Sequence, residues 1–587
     1  MVFMDLRRAD SGAVALVAGG VLGFLFGLGY ADWQWAVEHA QVLAGVVTYP
    51  PDSPVAIAHA KLWSLTSQIG AALLSMGVSE IALSKLISGV MGLVSFQAIA
   101  AIVYALSRDA LLAVGGAFVV FVSGIFDYGP VYPVDLLGTA HTHGVLGLSV
   151  AVLAVALIGM GWYRAGGFVL AIAPAVHLAL GGWMVGVVAV AALASGDDGR
   201  AAVRAGWRWF AAGAGVAAVS YAIHRSLAPE VPPIDPAEAE RYLRAFVPFW
   251  DGHRQAVDFG SYGVRLSLGV VVLAFAADRA FLTGLTPGAR LLLRATAIGG
   301  VAALGLAAWA GVSPATLPDA LLLAMPGRLV NATVLMGGAI VIGLAGTRGT
   351  RLARQILLLF LVAGLLVSSH SLLWDVIGGR RWRVDPLAVA TLVGVVLLVL
   401  EWLAWRGACR ETKSKAPIAG VRIAIAVTLF VAAGVAVMDA AHARARRADL
   451  FRDRTNDPVF AAAAAGQGPL LTAGELFLIQ ARSRRPVLLD GGTLDTLPYA
   501  LEQGPAMDRI LKDVYGVDLF HPPPAARGGG RVPHEFSRRV WEAWSLDRWR
   551  QIGRIYGVSQ VIAPADWKIS LPRVEASSGL VLYTIPR

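Results

Sequence analysis

Side chains that could do chemistry begin where the first long apolar run of the chain ends. Asp32 follows that run, and a carboxylate so close to hydrocarbon is costly unless it is solvated, paired or used. It could act as a general base on a hydroxyl, with a pKa raised by partial loss of water, or it could cap a helix that begins at Trp33. Glu38 could contact a substrate, pair with a lysine or remain a solvated surface residue.

A second group of polar residues lies in the segment DYGPVYPVDLLGTAHTHG. It contains Asp127, Asp135, His141 and His143. Carboxylates and neutral histidines can ligate a divalent metal ion, but a His-x-His pair splays its two rings on a helix and faces one side only on an extended segment. Hydrogen bonding to a sugar, or capping of a helix that begins near Thr142, explains the same residues. We favour these two interpretations over a metal site.

Two further segments suit an anionic ligand. Arg328 stands at the mouth of an apolar run, and the sequence FWDGHR places Asp251, His253 and Arg254 beside aromatic rings. A guanidinium offers a planar fork to phosphate oxygens. The phosphate of a lipid that enters from the bilayer would need such a clamp. The alternative is that these side chains bind ordinary lipid headgroups.

Composition defines the elements that must position these residues. The chain has 587 residues, of which 57% are hydrophobic and only 15% are charged, whereas soluble domains average about half apolar and about a quarter charged. The apolar excess falls in blocks near the length of roughly 20 residues that crosses the hydrocarbon core of a bilayer. A soluble enzyme and a disordered chain are excluded, and a polytopic α-helical membrane protein is predicted.

The formal net charge of +10 is explained by membrane topology. Much of the excess arginine lies in short loops between apolar runs, where it sets the orientation of the spans, so no nucleic-acid partner is expected. A cytoplasmic N-terminus puts most basic loops on one side, with Arg380, Arg381 and Arg383 as exceptions. Cys409 is the single cysteine of the chain, which excludes an intrachain disulfide.

About 13 membrane spans are predicted. They are expected near residues 13–30, 81–106, 110–126, 142–162, 208–224, 264–283, 295–311, 329–346, 355–371, 386–405 and 421–439, together with two short helices in the run 166–195. Pro174 interrupts that last run, which is too long for one ordinary span. Between the first two spans, residues 31–78 are expected to form interfacial helices on the outer side, because apolar residues recur there at helical spacing among polar ones.

The last part of the chain has a different composition, with more arginine, aspartate and proline. The runs 486–490, 558–563 and 579–585 are typical of buried strands. The chain is therefore divided into a transmembrane domain, 1–440, and a C-terminal α/β domain, 441–587. An odd number of spans puts this α/β domain outside the cytoplasm.

One helix of the C-terminal part is predicted in more detail. It covers residues 545–556, with Trp549, Ile552 and Ile555 on one side. Gly557 follows directly, and a glycine at that point can take the left-handed conformation that ends a helix.

The whole arrangement resembles the glycosyltransferase C superfamily, polytopic enzymes that take sugars from polyprenyl-phosphate carriers. The likeness consists of a basic N-terminus, a first span, a large outer loop that opens with Tyr30-Ala31-Asp32, and an outer C-terminal α/β domain. It is similar in this to protein mannosyltransferase-like and aminoarabinose transferase-like members. Many members carry Asp-Glu or Asp-x-Asp in the loop, whereas Trp33 and Gln34 follow Asp32 here, so Asp32 is matched by position alone.

The resemblance implies a hexosyl- or pentosyltransferase of the bacterial inner membrane that acts at the periplasmic face. The donor would be a polyprenyl-phosphate-linked sugar, and the acceptor a cell-envelope glycan, lipid or protein. Asp32 would be the base of an inverting displacement, and Arg328 would stabilise the departing polyprenyl phosphate. No cofactor is expected, with use of a divalent metal left open. Two alternatives stay open: a polysaccharide or lipid-linked sugar transporter or flippase, and a non-catalytic envelope assembly subunit.

Overall fold

The structure is a computed structural model of the chain. It describes residues 11–122, 135–251, 254, 257–259, 261, 262–280, 285–312, 317–325, 327–346, 434, 437–438, 440–441, 443–445, 447 and 450–586. The spans predicted near 355–371 and 386–405 lie outside these residues, as does most of the span predicted near 421–439.

The described residues up to 346 are mostly helical. In chain order the helices are α1 Ser11–Gly29, α2 Trp35–Leu43, α3 Pro54–Lys61, α4 Leu65–Ser75, α5 Glu80–Ser107, α6 Ala110–Val122, α7 Thr142–Gly159, α8 Tyr163–Val176, α9 Leu178–Ala194, α10 Gly196–Leu227, α11 Pro236–Phe249, α12 Tyr262–Ala280, α13 Pro287–Val312, α14 Asp319–Leu323 and α15 Gly327–Ala345. The three short helices α2, α3 and α4 occupy the segment predicted to be interfacial.

Within the described residues, five stretches are long and apolar enough to cross a membrane. They are Ser11–Gly29, Glu80–Ser107, Thr142–Gly159, Pro287–Ala310 and Asp319–Leu344. Helices α6, α8 and α9 are apolar but shorter. The prediction of a helical membrane protein is therefore confirmed, and the count of about 13 spans stays a prediction.

The run 166–195 does form two helices, as predicted. Helix α8 contains Pro174 and ends at Val176, and His177 has an extended backbone before α9 begins. Because proline cannot donate a helical hydrogen bond, the chain bends here at low cost. The ring of His177 then accepts a hydrogen bond from the N–H of Leu180 and so caps α9.

Helix α10 differs from the prediction. The expected span at 208–224 is only the second part of a 32-residue helix, and the polar residues before it are helical as well. Asp197 and Asp198 lie in the first turn of α10, where negative charge is favoured by the helix dipole. The charged sequence that looked like a loop is thus a good helix start.

Glycines let α1 and α5 approach each other closely. Gly19, Gly23 and Gly27 recur every four residues on α1, and a Cβ at Gly23 or Gly27 would collide with the backbone of α5 at Gly92 or Ser88. We call this row of Gly19, Gly23 and Gly27 the glycine seam. Membrane helices associate through such small residues, because lipid is as apolar as the helices and gives no hydrophobic driving force for packing. The seam holds the end of α1 against α5 and so fixes where the chain emerges after Gly29.

Helices α5, α7 and α13 have ends that meet on one side of the bundle, next to basic residues. The guanidinium of Arg108, after α5, donates to the hydroxyl of Thr286 at 3.0 Å and to the carbonyl of Met160 at 3.5 Å. Gly288, at the start of α13, lies against the end of α7. A shared basic end agrees with the positive-inside rule, and which compartment it faces stays a prediction.

The C-terminal part contains a four-stranded mixed sheet with helices around it. Its helices are α16 Pro458–Ala464, α17 Ile479–Ser483, α18 Gly504–Tyr515, α19 His534–Glu542 and α20 Leu546–Tyr556, and its strands are β1 Leu470–Thr472, β2 Gln560–Pro564, β3 Arg573–Ser577 and β4 Leu580–Thr584. The strand order is β1-β2-β4-β3, with β1 parallel to β2 and the other pairs antiparallel. The largest buried side chains of its core include Trp541, Trp549, Trp567, Tyr515 and Tyr583.

The predicted strands agree with the sheet in two places out of three. Strands β2 and β4 overlap the runs 558–563 and 579–585. The run 486–490 is not a strand: Val487 makes a single bridge to Leu470. At the end of the run, the Asp490 carboxylate accepts the N–H groups of Gly492 and Thr493 and turns the chain.

The predicted end of α20 is correct, and two of the three side chains named for one side of this helix are buried. Gly557 has a φ of +66° directly after α20, as a left-handed helix end requires. Trp549 and Ile552 are buried, whereas Ile555 is 54% exposed. The core above this helix is filled by the first two side chains.

Buried polar contacts join the C-terminal part to the helices after α1. Glu80, only 1% exposed, accepts from Arg484, from Arg454 at 3.3 Å and from the amide of Gln41 at 3.1 Å. The amide of Gln41 also donates to the carbonyl of Ala481. Since a buried carboxylate is stable only when it is paired, these contacts hold the C-terminal part against α2 and the start of α5.

Candidate active site

Asp32 lies in the short turn between α1 and α2. Its backbone N–H donates to the Ser88 hydroxyl at 3.3 Å, and the same hydroxyl accepts from the Gln34 amide at 3.0 Å. The Gln34 carbonyl oxygen also accepts from the hydroxyl of Thr142, at the start of α7, at 2.7 Å. The turn is therefore tied to both α5 and α7, and the position of Asp32 is set by three helices.

The carboxylate of Asp32 faces a guanidinium that sequence reasoning did not find. Oδ2 lies 3.6 Å from Nη1 of Arg447, and Oδ1 accepts from the N–H of Trp33 at 2.7 Å. Arg447 also donates to the carbonyls of Tyr30 and Gly138, at 2.7 and 2.9 Å. Arg447 thus links the two loops of the site and holds a positive charge against Asp32.

The environment of Asp32 decides between its two interpretations. Gln34 is the residue that precedes α2, and no side chain caps that helix, so the capping role is not observed. Burial raises the pKa of Asp32 above its ordinary value, while Arg447 and the N–H of Trp33 oppose the rise. The side chain remains 21% exposed. A partly accessible carboxyl with a raised pKa has the properties of a general base.

Asp135 and His141 lie near the same arginine as Asp32, and their roles stay predictions. Both residues are exposed. Partial burial raises the pKa of the Asp135 carboxyl, and both His141 and Arg447 oppose that rise, so the three groups are near neighbours. The ring of His141 stands edge-on to that of Trp35, 4.5 Å between centroids. Trp35 in turn stacks on Phe477 of the C-terminal part, at 6.1 Å.

His143, two residues after His141, belongs to a different group of side chains. Its Nδ1 atom lies 3.4 Å from the hydroxyl of Ser64. His39 stacks on His59 with 5.1 Å between ring centroids and meets His224 edge-on at 5.9 Å, and His143 is close enough to influence both His39 and His59. Sequence reasoning missed His39, His59 and His224 as a set, because only the packing of their three helices brings His224 to the other two.

Arg328, at the start of α15, is placed by the break between α8 and α9. Its Nη1 atom lies 2.9 Å from Nε2 of His177. His143, on α7, is close enough to His177 to act on it electrostatically. Arg328 is 9% exposed. The structure therefore brings Arg328 and His143 into one neighbourhood, and the first turn of α7 connects that neighbourhood to His141 and Asp32.

Asp251 and Arg254 form a buried ion pair. Arg254 Nη1 donates to Asp251 Oδ2 at 2.6 Å, both side chains are at most 1% exposed, and Arg254 Nε donates to the carbonyl of Leu322. The guanidinium also lies over the ring of Tyr499, 5.0 Å from its centroid. These contacts hold α11 to α14, and binding of a ligand by Asp251 or Arg254 stays a prediction.

Glu38 lies on α2 at the contact with the C-terminal part. Its Oε1 atom accepts from the N–H of Ala481 at 3.4 Å. Burial, and then the nearby carboxylate of Asp490, raise the pKa of Glu38 well above its ordinary value. The contact of Glu38 with a substrate stays a prediction.

Two of the candidate residues, Asp127 and His253, lie outside the described residues. Among the residues that the structure describes, no three His, Cys, Asp or Glu side chains are arranged to hold a metal ion.

Comparison with known proteins gives one structural likeness. No family model and no curated protein sequence matches the chain. Among solved structures, the crystal structure of ArnT from Cupriavidus metallidurans in the apo state is similar over 98% of this chain and 98% of that chain, with 16% sequence identity and a TM-score of 0.43. The function is therefore argued from the residues of this chain.

Proposed function

We propose that this protein is a membrane glycosyltransferase that moves a sugar from a polyprenyl-phosphate donor to a cell-envelope acceptor at the periplasmic face. The observation that carries the proposal is the state of Asp32. Its carboxyl stands directly after a membrane span, is partly accessible, and is held by the N–H of Trp33 and the guanidinium of Arg447. A base at this height meets a lipid-linked donor at its headgroup.

The reaction is an inverting displacement. The carboxylate of Asp32 takes the proton of an acceptor hydroxyl as its oxygen attacks the anomeric carbon from the side opposite the phosphate. The bond between that carbon and the phosphate oxygen breaks, and its electron pair leaves with the phosphate. Arg447 keeps a fraction of Asp32 ionised against the effect of burial, because it is the largest opposing influence on the pKa of this carboxyl.

Arg328 is assigned to the leaving group. Its guanidinium lies at the head of an apolar helix and beside His177, where the phosphate of a lipid would arrive while its chain stays in the bilayer. A preorganised cation at this point stabilises the negative charge that develops on the departing phosphate. Asp135 and His141 are assigned to hydroxyl groups of the substrates, since both are exposed beside Arg447 and Trp35. Glu38, on α2 at the contact with Ala481, is assigned to a further hydroxyl group.

A transfer assay tests the proposal. The full-length protein in proteoliposomes is given a polyprenyl-phosphate donor with a labelled sugar and a cell-envelope fraction as acceptor. The proposal predicts label in a new glycosidic linkage of inverted configuration, with release of polyprenyl phosphate. Movement of intact donor across the bilayer without new linkages would favour the transporter, and neither event would favour the assembly subunit.

A further inference from the structure

Four histidines from four helices form a cluster behind the mouth of the site. The histidine cluster consists of His39 on α2, His59 on α3, His143 on α7 and His224 on α10. His39 is at its centre: its ring lies 5.1 Å from that of His59 and 5.9 Å from that of His224. His39 is 2% exposed and His224 is 1% exposed. Such a concentration of imidazoles is not required by packing, which apolar side chains would satisfy.

Three ring nitrogens of the cluster have no hydrogen-bond partner, although they are buried. They are Nε2 of His39, Nδ1 of His59 and Nδ1 of His224. A buried polar atom without a hydrogen-bond partner lowers the stability of the fold by on the order of 1–3 kcal/mol. Three such atoms in one place are therefore unusual unless they bind a ligand. The cluster therefore has the form of a binding site.

The hydrogen bonds that the cluster does make show which nitrogens are bare. Nε2 of His224 donates to the carbonyl of Ala60 at 3.0 Å, so Nδ1 of the neutral ring carries no proton. A bare imidazole nitrogen becomes a donor only by taking up a proton. Any ligand that accepts hydrogen bonds at this nitrogen must therefore bring protonation with it.

The surroundings decide the sign of the ligand. Burial first, and the other histidines next, lower the pKa of His39, and burial followed by His143 lowers that of His59 to about 4; no carboxylate contributes to either. Basic residues adjoin the cluster on α3, α10 and α15. Lys61 follows on α3 and is paired with Glu502, Arg225 follows His224 on α10, and the pair of His177 and Arg328 lies beside His143.

The adjoining cations disfavour a metal ion, whereas a bound anion favours the protonated form of an imidazole beside it. The donor atoms are also not arranged for a metal within the described residues. The geometry points to an oxyanion site: the histidine cluster binds phosphate oxygens and takes up protons as they bind. This inference rests on the proposed function in that the phosphate is that of the lipid-linked donor.

The test measures binding and proton uptake together. Full-length protein in nanodiscs is titrated by calorimetry with a polyprenyl monophosphate and, separately, with inorganic phosphate, between about pH 5.5 and pH 8. One proton taken up per ligand gives a roughly tenfold rise in affinity per unit fall in pH. It also gives a heat of binding that depends on the ionisation heat of the buffer. Binding with neither property overturns the proposal.

Variants assign the proton uptake to the cluster. His39→Gln and His59→Gln remove one imidazole each on different helices, so that the failure of one to fold leaves the other. Each is expected to reduce both the affinity and the pH slope. His521→Gln, whose side chain is 86% exposed, is the matched control and is expected to change neither. An unchanged slope in both cluster variants contradicts the proposal.

The remaining arms separate the outcomes. Coupled binding of the polyprenyl phosphate, with inorganic phosphate far weaker, identifies the lipid headgroup as the source, and equal coupled binding of both identifies free phosphate. Binding of Zn²⁺ without coupled phosphate binding overturns the oxyanion site. Asp32→Asn is expected to keep the coupled binding and lose transfer. If it keeps transfer as well, the proposed role of Asp32 fails while the oxyanion site stands.

Discussion

Removal of the positive charge at Arg447 is expected to move the pH dependence of transfer. In the proposed reaction Asp32 must be ionised, so the rate falls as the pH drops through the pKa of this carboxyl. Burial places that pKa above the ordinary value of 3.8, and Arg447 holds it down. The substitution Arg447→Met keeps an unbranched side chain and removes the charge. The acid limb of the rate profile should therefore move to higher pH.

The size of this shift follows from the geometry. Two unit charges 3.6 Å apart interact by about 1 kcal/mol in bulk water and by about 4 kcal/mol at the effective dielectric constant of a protein surface. The two side chains are 25% and 21% exposed, so solvent screens part of the interaction, and we take about 1.5 kcal/mol. That free energy corresponds to a shift of about one pH unit.

The assay is the pH profile of kcat/KM for sugar transfer. Arg444→Met is the matched control, because Arg444 is an exposed arginine of the same segment. Arg447→Met also breaks hydrogen bonds to the carbonyls of Tyr30 and Gly138 and will lower the maximal rate, so the position of the limb is the diagnostic quantity. A limb that stays where the wild type has it, or moves to lower pH, refutes the reasoning.

Two further predictions concern the contacts that position the site. Gly23→Leu should lower the free energy of unfolding by about 2 kcal/mol or more, because its side chain meets the backbone of α5 at Gly92. Gly186→Leu, whose side chain points into open space, should be tolerated. Thermal unfolding in detergent measures both variants, and equal losses of stability would argue against the glycine seam. Glu80→Gln should weaken the attachment of the C-terminal part by roughly 3 kcal/mol and make that part more sensitive to limited proteolysis. Glu240→Gln, at an exposed position, should have neither effect. Identical digestion of the two variants would contradict the role of Glu80.

Local features of the fold could be predicted from the sequence because they depend on neighbouring residues. Apolar runs located α1, α5 and α7, and Pro174 located the break between α8 and α9. Gly557 located the end of α20. In each case the physical cause lies within a few residues of the feature, so one sequence is enough.

Other features depend on contacts that a sequence does not show. The strand predicted at 486–490 was wrong: only Val487 forms a bridge, to Leu470, and Asp490 at the end of the run accepts hydrogen bonds from the backbone that follows it, which the hydrophobic pattern alone does not reveal. The length of α10 was missed because polar residues at a helix start resemble a loop. Both errors arise where local polar chemistry competes with periodicity.

The candidate site shows the same division. Asp32 was found because it directly follows a span, and Asp135 and His141 because they are close in sequence. Arg447 was not found, since it contacts Tyr30 from 417 positions away. Only the fold brings such a residue to the site, and the histidine cluster is assembled in the same way from four helices.

The role of Asp32 is tested most directly by the rate of sugar transfer in Asp32→Asn. The control is Asp52→Asn, the same change at an exposed position between α2 and α3. Loss of a general base reduces a rate by typically 10²–10⁴-fold, so the account predicts a loss of that size for Asp32→Asn and a rate near that of the wild type for Asp52→Asn. Equal rates of transfer in the two variants would contradict it.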